Sequence, residues 1–354
     1  MLHLISADLP SDALALVGHL QRRLASQGNP AQLIDLSGQG LLASPDWGGP
    51  KATIFEHEPY LQLAWGRIKP EVSDWIDLLQ LQDAQPERCP PLPGLAQLLQ
   101  WIALADWLAP GAGEGAIAET VVVLPPLHQA LELLELARRG PDLLDAWLEP
   151  LLTWWQESRR SLSRLDLVLR LSLPDGDVLR LNPHWRQRLG QLADQLTDPN
   201  RHQLLCVLDG GLGQTTFLGD RLCRTYLKGF QPARLWLAGS PVLPVLAGLA
   251  AIRGPLVIGH GHQLHDGGSQ LEAWLDQPWQ AEATLDWGMG DGAARCRLLL
   301  PGLRKALLKV QQMDRDLLIQ VGGSSRIVSM PRDLAGQQCT GARISGRYLL
   351  LKFQ

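Results

Sequence analysis

A glycine-rich stretch, Asp209–Thr216, is the part of this chain whose residue types come closest to a catalytic loop. It follows an apolar run and precedes a predicted helix, and glycines there let backbone amides approach a phosphate at a helix N-terminus. Gln214 stands where such a loop needs lysine, and Leu208 replaces its first glycine. Two interpretations stay open: a tight turn, or a weak nucleotide or anion site. The candidate residues of that site are Gly210, Gly211, Gly213, Gln214, Thr215 and Thr216.

The first predicted strand-to-helix turn is the usual place for a phosphate-binding loop in an α/β protein. Here residues 6–12 read Ser-Ala-Asp-Leu-Pro-Ser-Asp, with no glycine and no lysine. Asp8 and Asp12 would repel a polyphosphate, and Pro10 removes a backbone donor. We therefore expect ordinary nucleotide binding to fail at this turn.

Three closely spaced histidines, His260, His262 and His265, are the candidates for a metal site, with Asp266 as a further ligand. Imidazole and carboxylate are suitable metal ligands if the loop folds back on itself. Spacing alone does not establish that geometry, so histidines without a metal remain the alternative. Cys206 and Cys223 fall on a predicted strand and helix, where they should be buried and inert.

The segment Leu127–Trp155 carries more leucine and tryptophan than one buried helical stripe can hide. One interpretation is a helix covered on two sides. The other is an exposed groove or self-association surface for an apolar polypeptide segment, extended by Trp75, Trp101 and Trp107. The candidates for contact with such a client are Trp147, Leu151, Trp154 and Trp155.

Strands alternate with helices up to about residue 280, which predicts a mostly parallel sheet with helices on both faces. The predicted strands begin with Leu2–Ser6 and Gln32–Leu36 and include Leu61–Trp65 and Leu165–Leu171. Leu127–Arg139 and Pro141–Leu162 are predicted as separate helices, and Gly259–Gln280 as a loop-rich connector. This assigns residues 1–280 to an α/β domain and 281–294 to a linker.

From residue 295 to 354 the pattern changes to short strands bounded by turn residues, which predicts a small antiparallel sandwich. The predicted strands are Cys296–Leu300, Ala306–Gln311, Asp316–Val321, Arg326–Met330, Gly341–Ile344 and Tyr348–Phe353.

Charge and cysteine content restrict the partners and the compartment. The net charge of −4 disfavours nucleic acid, and the scattered five cysteines fit a reducing compartment. The longest apolar runs are too short to cross a bilayer, and the first residues lack the basic start of a signal peptide. We expect a soluble cytoplasmic protein without stable membrane insertion.

The C-terminal residues resemble the α-crystallin (Hsp20)-like domain found in a cyanobacterial and plastid branch of the arsenite-pump and tail-anchored-protein-targeting ATPases, the ArsA-like family. The resemblance rests on Leu298–Gly302, Asp316–Ile319 with Gly322, Arg326–Val328 with Pro331, Thr340–Ala342 and Tyr348–Phe353. Upstream, Asp35–Leu41 lies where the family has its first switch. The resemblance implies a P-loop-NTPase-like fold, binding of hydrophobic polypeptides and a possible homodimer.

This sequence departs from the family where the family does its chemistry. The Gly-Lys-Gly-Gly-x-Gly-Lys-Thr-Thr loop is missing near residues 6–13, as are the second switch between 139 and 162 and the zinc-binding Cys-x-x-Cys. We therefore expect a pseudo-ATPase that needs no cofactor and binds hydrophobic segments or assists assembly. The alternatives are an ATPase that uses ATP and Mg²⁺ at residues 209–216, and a metal-binding protein.

Overall fold

The structure is a computed structural model that describes residues 1–70, 94–108, 119–169, 183–210, 215–239, 256–261, 264, 268–290, 293–334 and 336–354. It contains two compact units. The first comprises residues 1–32, 118–127 and 202–354, and the second comprises residues 33–117 and 128–201. The C-terminal strands therefore belong to the same unit as the central strands of the parallel sheet.

The parallel sheet has the strand order β3-β2-β4-β1-β5-β6-β7. Its strands are β1 Leu2–Ala7, β2 Ala31–Asp35, β3 Thr53–Ile54, β4 Glu119–Val123, β5 His202–Asp209, β6 Pro232–Ala238 and β7 Val257–Gly261. In the first unit β1 lies between β4 and β5, with Leu4 in register with Val122 and with Leu204. These central strands are almost fully buried, which explains their continuous apolar sequences.

Within the described residues the helices are α1 Pro10–Ser26, α2 His57–Ile68, α3 Leu95–Leu108, α4 Leu127–Leu169, α5 Pro183–Thr197, α6 Thr215–Leu227 and α7 Gly268–Asp276. Pro10 occupies the first turn of α1, where its missing N–H costs nothing. The predicted α/β class is confirmed.

The structure corrects several sequence predictions of local structure. Leu61–Trp65 is not a strand but part of α2, because its apolar residues continue the helical spacing set by the buried Tyr60. The start of the predicted strand Leu165–Leu171 is also helical, since α4 continues to Leu169. The connector Gly259–Gln280 contains the end of β7 and all of α7, whose Leu271, Trp274 and Leu275 are buried at helical spacing.

Helix α4 passes through Gly140 and Pro141, where a break between two helices was predicted. Proline removes one backbone hydrogen bond from a helix, and the leucine-rich turns on both sides favour continuation. Gly140 is required by packing, because a Cβ at this position would lie 2.2 Å from the Trp101 ring. The glycine therefore marks a close helix–helix contact and not a helix end.

The C-terminal strands form two antiparallel sheets, β10-β11-β12 and β13-β14-β9-β8. Their bounds are β8 Leu285–Gly290, β9 Ala293–Leu299, β10 Leu308–Met313, β11 Asp316–Val321, β12 Ser324–Ser329, β13 Cys339–Ser345 and β14 Tyr348–Phe353. The inward residues of both sheets share one core, which confirms the predicted all-β C-terminal region.

Residues 281–294, predicted as a linker, contain strand β8 and the start of β9. Asp286 is in register with Arg297 of β9, and Trp287 packs on Phe353 with ring centroids 5.5 Å apart. The glycines of this segment (Gly288 and Gly290) concealed the strand, because they lower strand propensity and interrupt the alternation.

Candidate functional site

The turn between β1 and α1 is too short to surround a phosphate. Ala7 ends β1 and Pro10 begins α1, so only Asp8 and Leu9 lie between them. A phosphate-binding loop places about five residues between its first glycine and its lysine, so that several amides converge on the anion. Here the Asp8 amide instead donates to the Val207 carbonyl at 2.9 Å.

The Asp8 side chain occupies the space at the end of this turn. Its carboxylate forms a bidentate ion pair with Arg221 of α6, with N···O distances of 2.6 and 2.7 Å. It also accepts the Asp209 amide at 3.0 Å. Each side chain of the pair is 20% exposed. The carboxylate thus connects the ends of β1 and β5 to α6.

The glycine-rich stretch is described only at its two ends. Gly211, Gly213 and Gln214 lie outside the described residues, and Thr215 and Thr216 form the first positions of α6. Two backbone amides at the start of the stretch already have acceptors: Asp209 donates to Asp8, and Gly210 donates to the Ala238 carbonyl at 2.7 Å. These two amides are therefore not open to a phosphate, and the site proposed for Gly210–Thr216 stays a prediction.

Asp35, at the end of β2, organises the loop that follows this strand. It is 1% exposed and accepts the amides of Ser37 and Leu42, each at 2.9 Å. Gln100 of α3 donates to the Leu36 carbonyl at 2.9 Å. Asp35 therefore acts as a cap for the loop backbone.

A pocket of about 450 Å³ lies beside this loop in the second unit. It is lined by Gly38, Gln39, Gly40, Ala43, Ile54, Phe55, Glu56, His57, Ala96 and Gln100. The Asp35 carboxylate is used by the loop itself, so the polar side chains of the lining are Glu56, His57 and two glutamines, beside the apolar Ile54 and Phe55.

The histidine candidates for a metal site are only partly described. His260 is exposed near the end of β7, whereas His262, His265 and Asp266 lie outside the described residues. Among the residues that the structure does describe, no group of three or more histidine, cysteine or acidic side chains is placed to hold a metal. The metal hypothesis therefore stays a prediction.

The apolar helix α4 divides into a buried first part and a second part that carries the client candidates. Leu127, Leu133 and Leu134 are buried, as a covered helix requires. Trp154 is 60% exposed, and the side chains of Trp147, Leu151 and Trp155 lie outside the description. Trp101 is 1% exposed and packs at Gly140, so it does not extend an exposed surface as the sequence suggested.

Helix α6 also forms part of the core of the C-terminal sheets. Cys223, Tyr226 and Leu227 are buried together with β9, β11, β12 and β14 residues in a single cluster. Arg304 forms an ion pair with Asp220, with Nε–Oδ1 at 3.1 Å. The same helix therefore contacts the turn after β1 through Arg221 and the C-terminal sheets through Cys223, Tyr226 and Leu227.

Sequence reasoning missed Arg221 and Gly302, and both depend on contacts distant along the chain. Arg221 meets Asp8 across 213 positions. Gly302 has φ +75°, and a Cβ there would lie 2.9 Å from the Gly219 carbonyl oxygen on α6. The available signal was the pairing of Pro301 with Gly302, which marked a turn but not the close helix beneath it.

Comparison with known proteins is informative at the C-terminus. No helix within the described ranges combines the length and apolar character that a membrane span requires. No curated protein matches the chain. One family model matches residues 291–353, and its description is an HSP20-like domain found in ArsA. The antiparallel C-terminal region of this chain is thus an HSP20-like domain of the kind found in ArsA proteins.

Proposed function

We propose that this protein is a non-catalytic relative of the ArsA-like targeting ATPases that binds hydrophobic polypeptide segments or assists their assembly. The observation that supports this most strongly is the closed β1–α1 turn, in which Asp8 pairs with Arg221. Phosphoryl transfer depends on positioning and on neutralising phosphate charge. A carboxylate at that position opposes both requirements.

Binding of an apolar segment is supported by the second part of α4. Residues 147, 151, 154 and 155 follow the i, i+4, i+7, i+8 spacing of one helical stripe. An exposed tryptophan such as Trp154 offers a large apolar area that is suited to a partner helix. The HSP20-like domain at residues 291–353 supports a role with polypeptide clients, which is the role that the resemblance to an α-crystallin-like domain implies. The proposal includes a homodimer formed through the same surface. It also includes a cytoplasmic location, where the described cysteines would keep their thiols free.

Capture of a defined client tests this function. A peptide with about 20 consecutive apolar residues is diluted from detergent into solutions of the full chain, and the peptide that stays soluble is measured. We expect the wild type to retain the peptide and Trp154→Ser to retain much less. The control variant Leu63→Ser removes an exposed apolar side chain from a different helix, α2, and should behave as the wild type. Equal retention by all three proteins, or none by the wild type, would contradict the proposal.

The ATPase alternative has one favourable observation: residues 210–214 connect the carboxyl end of β5 to the N-terminus of α6, where helix dipoles favour anions. Release of phosphate from Mg-ATP by the full chain, abolished by Gly213→Asp, would establish this alternative. We expect no release above that of a boiled sample.

A further inference from the structure

Charge is distributed unevenly along this chain. Residues 291–354 contain eleven Lys and Arg against four Asp and Glu, a net charge of +7, although the whole chain carries −4. Residues 1–290 therefore carry −11. Such an asymmetry within one chain indicates a local interaction with an anionic partner, which the total charge conceals.

Part of this positive charge lies on one side of the four-stranded sheet. Alternation along each strand buries Cys296 and Leu351 and leaves their neighbours exposed on the outer face. The exposed cations are Arg295 and Arg297 on β9, Lys352 on β14 and Arg343 on β13. We call these four residues the cationic face.

The strand register brings the members of the cationic face together. Lys352 lies directly opposite Arg295, and Leu350 lies between Arg297 on one side and Arg343 on the other. Like charges directly opposite each other destabilise an antiparallel pair. Asp286 contributes a carboxylate through its 3.3 Å ion pair with Arg297, but that pair is about half exposed and therefore weak. The face retains an excess of positive charge that an anionic partner would neutralise.

The aromatic residue beside the face argues against nucleic acid. Tyr348 points to the same side, and the guanidinium carbons of Arg297 and Arg347 lie 4.9 and 5.3 Å from its ring centroid. Its hydroxyl also bonds to Glu282. Single-stranded nucleic acids bind sheets by stacking bases on open aromatic rings. A ring already in contact with two arginines and held at its hydroxyl is a poor platform for a base.

We propose that the cationic face binds an acidic polypeptide segment. Carboxylates on alternate residues of an extended segment lie about 7 Å apart, which is also the separation of alternate side chains such as Arg295 and Arg297 along β9. Leu350, half-buried between Arg297 and Arg343, offers an apolar contact within the face. The cationic face shares no residue with the client candidates on α4, and its existence does not depend on the proposed function.

Binding of a labelled glutamate-rich peptide to the full chain, followed by fluorescence anisotropy at low and high salt, tests the proposal. The variant Arg343→Glu/Lys352→Glu reverses two charges of the face. The matched control Lys309→Glu/Arg315→Glu makes the same change in net charge at exposed positions of the other sheet. We expect saturable binding that weakens with salt, that is about ten-fold weaker in the first variant and that changes less than about two-fold in the control.

Three outcomes would overturn the proposal. One is the absence of saturable peptide binding by the wild type, and another is an equal loss in both variants. The third is tighter binding of a uridine oligonucleotide, or of vesicles rich in phosphatidylserine, than of the peptide. Thermal unfolding of each variant identifies a folding defect, and Arg343→Gln/Lys352→Gln then replaces the charge reversal.

Discussion

Asp8 and Arg221, which are 213 residues apart in the sequence, form a two-bond ion pair at the end of the first strand. Asp8 belongs to the turn between β1 and α1, and Arg221 belongs to the helix that packs against the HSP20-like sheets. The pair gives the partly buried Asp8 carboxylate, next to the start of α1, a charged partner. The turn after β1 therefore has a structural role, because this pair connects it to α6.

Removal of the arginine should destabilise the protein. In Arg221→Met the partly buried Asp8 carboxylate loses its charged partner, which should lower the free energy of unfolding by about 2 kcal/mol, between the values for exposed and buried pairs. Urea unfolding followed by circular dichroism measures this loss. The double variant Asp8→Asn/Arg221→Met should recover part of it, whereas equal stability of wild type and Arg221→Met would show that the pair contributes little.

Gly302 should tolerate no side chain. Alanine there must adopt φ +75° and place a Cβ 2.9 Å from the Gly219 carbonyl oxygen, so Gly302→Ala should cost about 3 kcal/mol. Gly346→Ala is the matched control, because Gly346 has φ +58° and nothing within 4 Å of an added Cβ. It should cost only about 1 kcal/mol for the backbone conformation. Equal midpoints of unfolding for the two variants would contradict the close approach of this turn to α6.

The cysteines should differ sharply in reactivity. Burial raises the pKa of Cys206, Cys223 and Cys296 to about 12, so their thiolate fraction is minute in mildly alkaline buffer. Cys339 is partly exposed and should react first. In a Cys89→Ser background, mass spectrometry after a short treatment with iodoacetamide should find one modified thiol. Rapid modification of Cys223 in the native protein would mean that the HSP20-like sheets do not stay packed on α6.

We expect the buried His3 to make the folded protein less stable in acid. Burial lowers the pKa of His3 below its ordinary 6.5. The Glu119 carboxylate, 2.8 Å from Nε2 of His3, partly opposes this shift. The unfolded chain therefore binds a proton near pH 6.5 that the folded protein resists. Stability contributed by neutral His3 is complete above this pH and declines as pH falls towards the lower folded pKa.

The pH dependence of unfolding in the wild type and in His3→Gln measures this effect. Glutamine can still donate to Glu119 but does not titrate, so the variant should lose less stability than the wild type as the pH falls below 6.5. Parallel curves for the two proteins would show that His3 does not contribute to the acid sensitivity.

The C-terminal strands were predictable because their signals are local. Asp316–Val321 and Tyr348–Phe353 were predicted with the bounds observed, since buried and outward residues alternate along them and turns flank both. Strand β8 escaped notice because its glycines resemble a linker. Leu61–Trp65 was misassigned because a five-residue segment with four apolar residues does not distinguish a strand from one turn of an amphipathic helix.

For the end of the sheet, the sequence predicted only that the first turn, with Asp8 and Pro10, lacks the residues of a phosphate-binding loop. The partner Arg221 could not be predicted, because many arginines occur in the chain and only the packing of α6 beside β1 selects this one. The position of Trp101 in the core likewise depends on Gly140, a residue whose role is evident only from the helix contact.

Titration of Mg-ATP into the purified full chain by isothermal calorimetry tests the central claim most directly. Because the short turn at Asp8 contains no glycine or lysine and two amides of the second loop already have acceptors, we predict no saturable binding even at millimolar nucleotide. Stoichiometric binding at micromolar nucleotide, lost in a variant of the 209–216 loop or of the Asp8 turn, would contradict the account and favour an active ATPase.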